Sequence, residues 1–276
     1  MMLRVKDVMD AIERMAPAAL AASWDNVGLL IGRPDGVVDG VLVGLDPTLE
    51  LLAEAGEIGA NMLVTHHPII FKPVKALRTE SPDGRFIRRA LVDNTHVIGC
   101  HTNFDSGNIG VNDLLGRGLG LENLRPLEDG VPCPGRRERL CGPGRIGDYE
   151  SPLGTHEFLS RLIRTLSPPW LLSAGSGPQK ISRVAVCGGS GSDLAEAALA
   201  AGAEVFVTGE VKHATARWAE DAGLWIIDAG HFATENQAMA FLGRQLQQFL
   251  GSRWPHVRVT VSTRQSSPLT LLKSHP

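Results

Sequence analysis

Three short stretches of this 276-residue chain concentrate side chains able to hold a metal ion. They are Thr65-His66-His67-Pro68, His101-Thr102-Asn103-Phe104-Asp105 and Asp228-Ala229-Gly230-His231-Phe232-Ala233-Thr234-Glu235. Neighbouring residues on an extended chain point to opposite sides, so His66 and His67 suit two ions lying side by side better than one shared ion. Asp105 offers a negative oxygen, terminal or bridging. If a helix starts near Phe232, His231 and Glu235 sit one turn apart on a single face. Mixed imidazole and carboxylate donors suit zinc, manganese, iron or nickel, and no thiolate is offered. The expectation is a centre of two divalent metal ions, roughly 3.5–4 Å apart, bound by His66, His67, Asp105, His231 and Glu235. Such a pair activates a water for attack on a carbon or phosphorus centre, the chemistry of a metal-dependent hydrolase of small molecules. Glu210, His101 and His213 are the candidates for proton transfer beside it, with Glu210 and His213 as an acid–base pair. His101 is also placed to orient Asp105 or the attacking water.

Each stretch has a plainer reading. Two adjacent histidines can be hydrogen-bonded core residues, and Asp105 can cap the loop leading to Gly107 and Gly110. Glu235 can be a first-turn acid that favours a helix N-terminus. Glu210 and His213 fit the opening turn of another helix. The whole set also fits a non-catalytic metal-binding or scaffold protein with a regulatory role. Gly188-Gly189-Ser190-Gly191-Ser192-Asp193 follows a strand and opens a helix. It matches neither dinucleotide-binding nor P-loop spacing, so a tight turn with an N-cap is preferred to a phosphate cradle.

The elements that must position these groups follow from periodicity. Val5–Met15, Thr48–Gly59 and Phe86–Val92 read as helices, Leu29–Ile31 as an apolar run after a loop, and Val41–Gly44, Met62–Thr65 and His96–Cys100 as strands. Further on, Val184–Cys187, Val205–Thr208 and Trp225–Asp228 read as strands, with helices over Asp193–Ala201 and Lys212–Ala222. A long helix runs from 232 to about Leu250, and a strand covers Val257–Val261. At an offset of 143, residues 41–65 and 184–208 share eight identities, from Val41/Val184 to Thr65/Thr208. The expected fold class is α/β, with two similarly wound lobes related by an internal duplication and the metal site in the cleft between them. The first lobe takes residues 1–125 and 233–276, the second 126–232. The Pro-, Gly- and Arg-rich segment 121–180 is expected to hold the crossing between lobes and one amphipathic helix, Thr155–Leu166. Predicted strands end just before His66, His101 and His231, and ligands in open parallel sheets gather at those ends.

Together with Ser23-Trp24-Asp25-Asn26-Val27-Gly28-Leu29 and Thr208-Gly209-Glu210, the three stretches resemble a known family, the GTP cyclohydrolase 1 type 2 homologs, also called NGG1-interacting-factor-like proteins. The likeness runs in order from about residue 5 to 262. Phe104 stands where the family usually has Leu. The resemblance implies two α/β lobes around a dinuclear centre with the same five ligands, a toroidal homohexamer and, from the family's name, GTP ring opening. Longer members carry an inserted middle domain for which this length leaves no room.

Bulk properties exclude some partners. The net charge is −3 and aromatic residues make up 5%, so no global basic, aromatic-bearing surface recruits nucleic acid. No apolar run approaches the ~20 residues of a membrane span, and residues 1–7 lack the apolar core of a signal peptide. Four cysteines, at 100, 133, 141 and 187, form no C-x-x-C pair and are read as reduced thiols of a cytoplasmic protein.

Overall fold

The computed structural model describes residues 2–128 and 130–272. In chain order the elements are α1 (Val5–Met15), β1 (Gly28–Ile31), β2 (Gly40–Gly44), α2 (Leu49–Glu57), β3 (Met62–Thr65), α3 (Pro82–Val92), β4 (His96–Gly99) and α4 (Thr102–Asp105). Then follow α5 (Val111–Gly118), β5 (Glu122–Arg125), β6 (Val131–Cys133), β7 (Arg136–Cys141), β8 (Arg145–Gly154), α6 (Thr155–Leu166), β9 (Leu172–Ala174) and β10 (Lys180–Ser190). The chain ends with α7 (Ala195–Ala200), β11 (Val205–Gly209), α8 (His213–Ala222), β12 (Trp225–Asp228), α9 (His231–Gly251) and β13 (Arg258–Val261). The described residues divide into two compact units, one within Met1–Phe104 and Met239–Gln265, the other within Asp105–Ala238 and Ser266–Pro276.

The first unit carries a five-stranded sheet in the order β1-β4-β3-β2-β13, parallel except for β1. Its central strands are buried along their whole length, as befits parallel strands covered on both faces. Leu42, Leu63 and Val97 alternate onto the face where Leu51, Leu52 and Ala55 of α2 meet Phe86, Ile87 and Ala90 of α3. Both helices open on a hydroxyl cap: Thr48 accepts from Leu51 N, and Ser81 accepts from Gly84 N with Pro82 in the first turn. The Ser81-Pro82 start makes α3 a turn longer than its apolar periodicity predicts.

The second unit has a six-stranded sheet in the order β5-β8-β10-β11-β12-β9, of which β10, β11 and β12 run parallel. Period-two alternation gives it a core on each side. Val184, Val186, Val205, Val207 and Ile227 pack with Leu115, Phe158 and Leu162. Ala185, Phe206 and Ile226 pack with Ala198 and Ala219. The register of the first parallel pair is the same in both units at the offset of 143: Val41 pairs with Met62 and Val184 with Val205.

Three expectations are corrected here. The 121–180 segment is not a crossing: besides α6 it supplies β5, β8 and β9 to the second sheet and the β6–β7 hairpin. Its charged and Pro-containing strands, such as Arg145–Gly154, hide the alternation that marks a strand. The domain boundaries also move. Residues 105–125, read with the first lobe, belong to the second unit, because β5 pairs with β8 and Leu115 and Leu119 lie in the second core. Residues 233–238 join the second unit too. Finally, not all four cysteines are thiols. Cys133 and Cys141, both buried on the facing strands of the hairpin, form a disulfide with Cα atoms 5.0 Å apart. No helix among the described residues is long and apolar enough to cross a membrane.

Candidate metal centre

Parallel strands deliver the residues that follow them to one edge of a sheet. At that edge of the first unit, His66 and His67 follow β3 and His101 follows β4. One ring nitrogen from each lies within 4.8 Å of the others, so the three form a group able to hold an ion. Each ring is held from behind. His66 Nδ1 donates to the Cys100 carbonyl at 2.9 Å, His67 Nδ1 to Asp46 Oδ1 at 2.7 Å, and His101 Nδ1 to Asp25 Oδ1 at 2.9 Å. A carbonyl or ionised carboxylate can only accept, so the proton sits on Nδ1 and the lone pair on Nε2. Carboxylate or carbonyl support of this kind orients a ligand histidine and raises its basicity.

Asp25 is itself braced. Its side chain is fully buried and also accepts from Thr102 N at 3.0 Å and from the Thr102 hydroxyl. Burial pushes its carboxyl up, but the bonds from His101 and Thr102 and the neighbouring imidazole charge outweigh that and hold it well below the usual carboxylate range.

In the second unit His231 is the first residue of α9, and its Nε2 lies 2.9 Å from Glu235 Oε2, as the one-turn spacing predicts. His231 Nδ1 donates to Glu210 Oε1 at 2.9 Å. Glu210 reaches it from a left-handed backbone, φ 56°, just after β11. Glu210 thus meets His231, while His213, its expected acid–base partner, opens α8 and is exposed. Asp105 closes α4, and its carbonyl accepts from the buried Asn112 amide at 3.2 Å. The other end of Asn112 accepts from Gly188 N at 2.8 Å, which ties Asp105 to the glycine turn.

That turn makes room for ligands. A Cβ on Gly189 would stand 2.1 Å from Glu235 Oε1 and 3.2 Å from His231 Nε2, and Gly189 has φ +65°. Its amide donates to Thr234 Oγ1 at 3.0 Å. Burial, and then the Asp105 and Glu235 carboxylates, push the Cys187 thiol up. Oxygen-anchored imidazoles, carboxylates and a glycine cleared of side chain fit a divalent ion of borderline character. Sequence reasoning assigned no role to Asp25, Asp46 or Asn112, and read Gly189 only as part of a tight turn. Asp46 carries the same signal as the histidines, a polar group just past a buried strand, and Asp25 lies inside a motif already singled out.

Residues 3–268 match the family model Duf34/NIF3 (NGG1p interacting factor 3). A GTP cyclohydrolase 1 type 2 homolog of Streptomyces coelicolor is 33% identical over 272 residues, covering 98% of this chain and 94% of that protein. One from Clostridium acetobutylicum is 31% identical over 268 residues, 97% of this chain and 98% of its own. The crystal structure of Staphylococcus aureus hypothetical protein SA1388 superposes with a TM-score of 0.88 at 31% identity, over 99% of this chain and 100% of that one.

Proposed function

This chain belongs to the Duf34/NIF3 family, and we propose that it is a metal-dependent hydrolase of a nucleotide or related small molecule. In this proposal His66, His67, Asp105, His231 and Glu235 hold two divalent ions, zinc, iron, manganese or nickel. Bound there, the ions would bring the pKa of a water toward ~7 and polarise the bond to be broken. The protein's own residues do the rest. Asp46 fixes the tautomer of His67 and the Cys100 carbonyl that of His66, and Glu210 orients the His231 ring. His101, steadied by Asp25, takes up and returns the proton at Nε2. The names of the relatives, GTP cyclohydrolase 1 type 2 homologs, make GTP the first substrate to try. We read the two units as an internal duplication, which their shared register at an offset of 143 supports. Placing the ions between the lobes and assembling the chain as a homohexamer belong to the same proposal.

One observation carries it: three clustered histidines, His66, His67 and His101, each have Nδ1 bonded to an oxygen that can only accept. Core histidines that merely fill space have no need of one common tautomer. The test is metal analysis of the purified protein, followed by assays on GTP, phosphoesters and amides. Two ions per chain and turnover that disappears in the His67→Ala/Glu235→Gln double variant are expected. Full turnover in that variant overturns the proposal, and bound metal without turnover on any class leaves a metal-binding scaffold in its place.

A further inference from the structure

Beside the His66–His67–His101 group the first unit exposes two large aromatic rings, Trp24 at 62% and Phe71 at 43%. The ring centroids of Trp24, Phe71 and His101 lie 5.7, 6.2 and 6.1 Å apart, and the planes are steeply inclined to one another. Two exposed aromatic rings in contact form an apolar patch of the kind that marks a ligand or partner site. These rings are also fixed in place. Next to Trp24, the buried Asp25 carboxylate is bonded to His101 and Thr102, and Ala22 N donates to Thr102 Oγ1 at 2.9 Å. Next to Phe71, the Ile70 carbonyl accepts from the Asn26 amide at 2.5 Å. The two ring-bearing loops are thus tied both to each other and to the histidine group.

The segment that carries Phe71 has a distinctive charge. Residues 66–79 contain Lys72, Lys75 and Arg78 and no Asp or Glu, in a chain of net charge −3. All three cations are exposed. Aromatic faces select a flat ring, the cations select a negative charge, and the imidazoles lie in ring contact with both aromatics' neighbour His101. We propose that Trp24 and Phe71 form the recognition platform for a planar heteroaromatic ring bearing an anionic group, the chemistry of a nucleotide, with Lys72 and Lys75 attracting the anion. This deepens the hydrolase reading and rests on it for the position of the reacting bond. Base–aromatic stacking tolerates many ring types, so the platform sets substrate class rather than a single base.

The experiment is calorimetric titration of the purified protein with GMP, guanosine and ribose 5-phosphate. GMP is expected to bind, and ribose 5-phosphate to bind about 10-fold more weakly or worse because it has no ring. Trp24→Ala should weaken GMP by about 10-fold or more, with Trp24→Phe restoring most of the loss. The Lys72→Ala/Lys75→Ala variant should weaken GMP and flatten its salt dependence. Metal content in Trp24→Ala should equal that of the parent. Absence of GMP binding, equal affinity for ribose 5-phosphate, or unchanged affinity in Trp24→Ala overturns the platform. So does a Trp24→Ala protein whose sedimentation shows a lost subunit contact, since the rings would then cover a second copy. If instead His66→Ala and His67→Ala keep their full metal content, the metal reading falls and the platform stands on its own titration.

Discussion

The ends of the parallel strands in the two units solve one problem with different residues. At the offset of 143, Asp46 corresponds to Gly189, His66 to Gly209 and His67 to Glu210. In the first unit the carboxylate follows the first strand and the imidazole follows the second, and they meet as Asp46 and His67 at 2.7 Å. In the second unit the carboxylate, Glu210, follows the second strand, and its imidazole is His231, which follows the third strand and opens α9. The position of Asp46 is then a glycine, because Glu235 fills the space that a side chain there would take. Each unit therefore has a carboxylate-oriented histidine, while the strand that supplies each partner differs. The same sheet register can therefore carry different residues at its strand ends.

The most damaging challenge to this comparison is a methyl group on Gly189. Gly189→Ala forces a clash with Glu235 and a left-handed alanine, so metal content should fall by at least half and the thermal midpoint should drop. Retention of both in metal analysis and a melting scan would show that the glycine is not making room for a ligand. Next come the two orienting carboxylates. Asp46→Ala and Glu210→Ala should each cost about 10- to 100-fold in metal affinity, measured by competition with a chelator. Asp46 should matter more, since it is the less exposed of the two and holds its ring more closely. Equal affinity in both variants would break the parallel between the pairs.

The smallest effect lies at the opposite ends of the strands. Met62 pairs with His96 and Val205 with Trp225, so one unit buries a histidine where the other buries a tryptophan. His96 is wedged against Gly32 and Gly36, where a Cβ on either would fall 2.2 and 2.4 Å from its ring nitrogens. Burial, and then Arg33, push its pKa below the ordinary 6.5. The unfolded chain takes up this proton first. Stability from this site is therefore complete above about pH 6.5 and declines as pH falls from there toward the depressed folded value. Denaturation midpoints should decrease over that window in the parent and stay flatter in His96→Leu. An identical slope in both would assign the dependence to other groups.

Most of the parallel core was legible from sequence, because buried strands such as Met62–Thr65 and Trp225–Asp228 are short apolar runs with clear stops. The turn between His231 and Glu235 was legible for the same reason: a helix of known pitch fixes which residues share a face. The antiparallel strands were not. In β8, Asp148, Glu150 and Pro152 break up the alternation, and only pairing with β10 makes the segment extended. The orienting residues were missed because they lie far from their partners in sequence, 76 residues for Asp25 and His101 and 21 for Asp46 and His67. Spacing identifies ligands that share one element, whereas the groups behind them come from tertiary contacts.

The anchored imidazoles also decide when conformational freedom is given up. A histidine free to rotate loses its rotamer entropy as an ion arrives, which weakens binding. Here that entropy, within the ~0–2 kcal/mol range of an ordered side chain, is lost ring by ring as the chain folds. The folded chain without metal is correspondingly less stable, and an ion that binds only the folded state returns that stability through mass action. Scarcity of metal would thus register first as a shift in how much of the protein is folded.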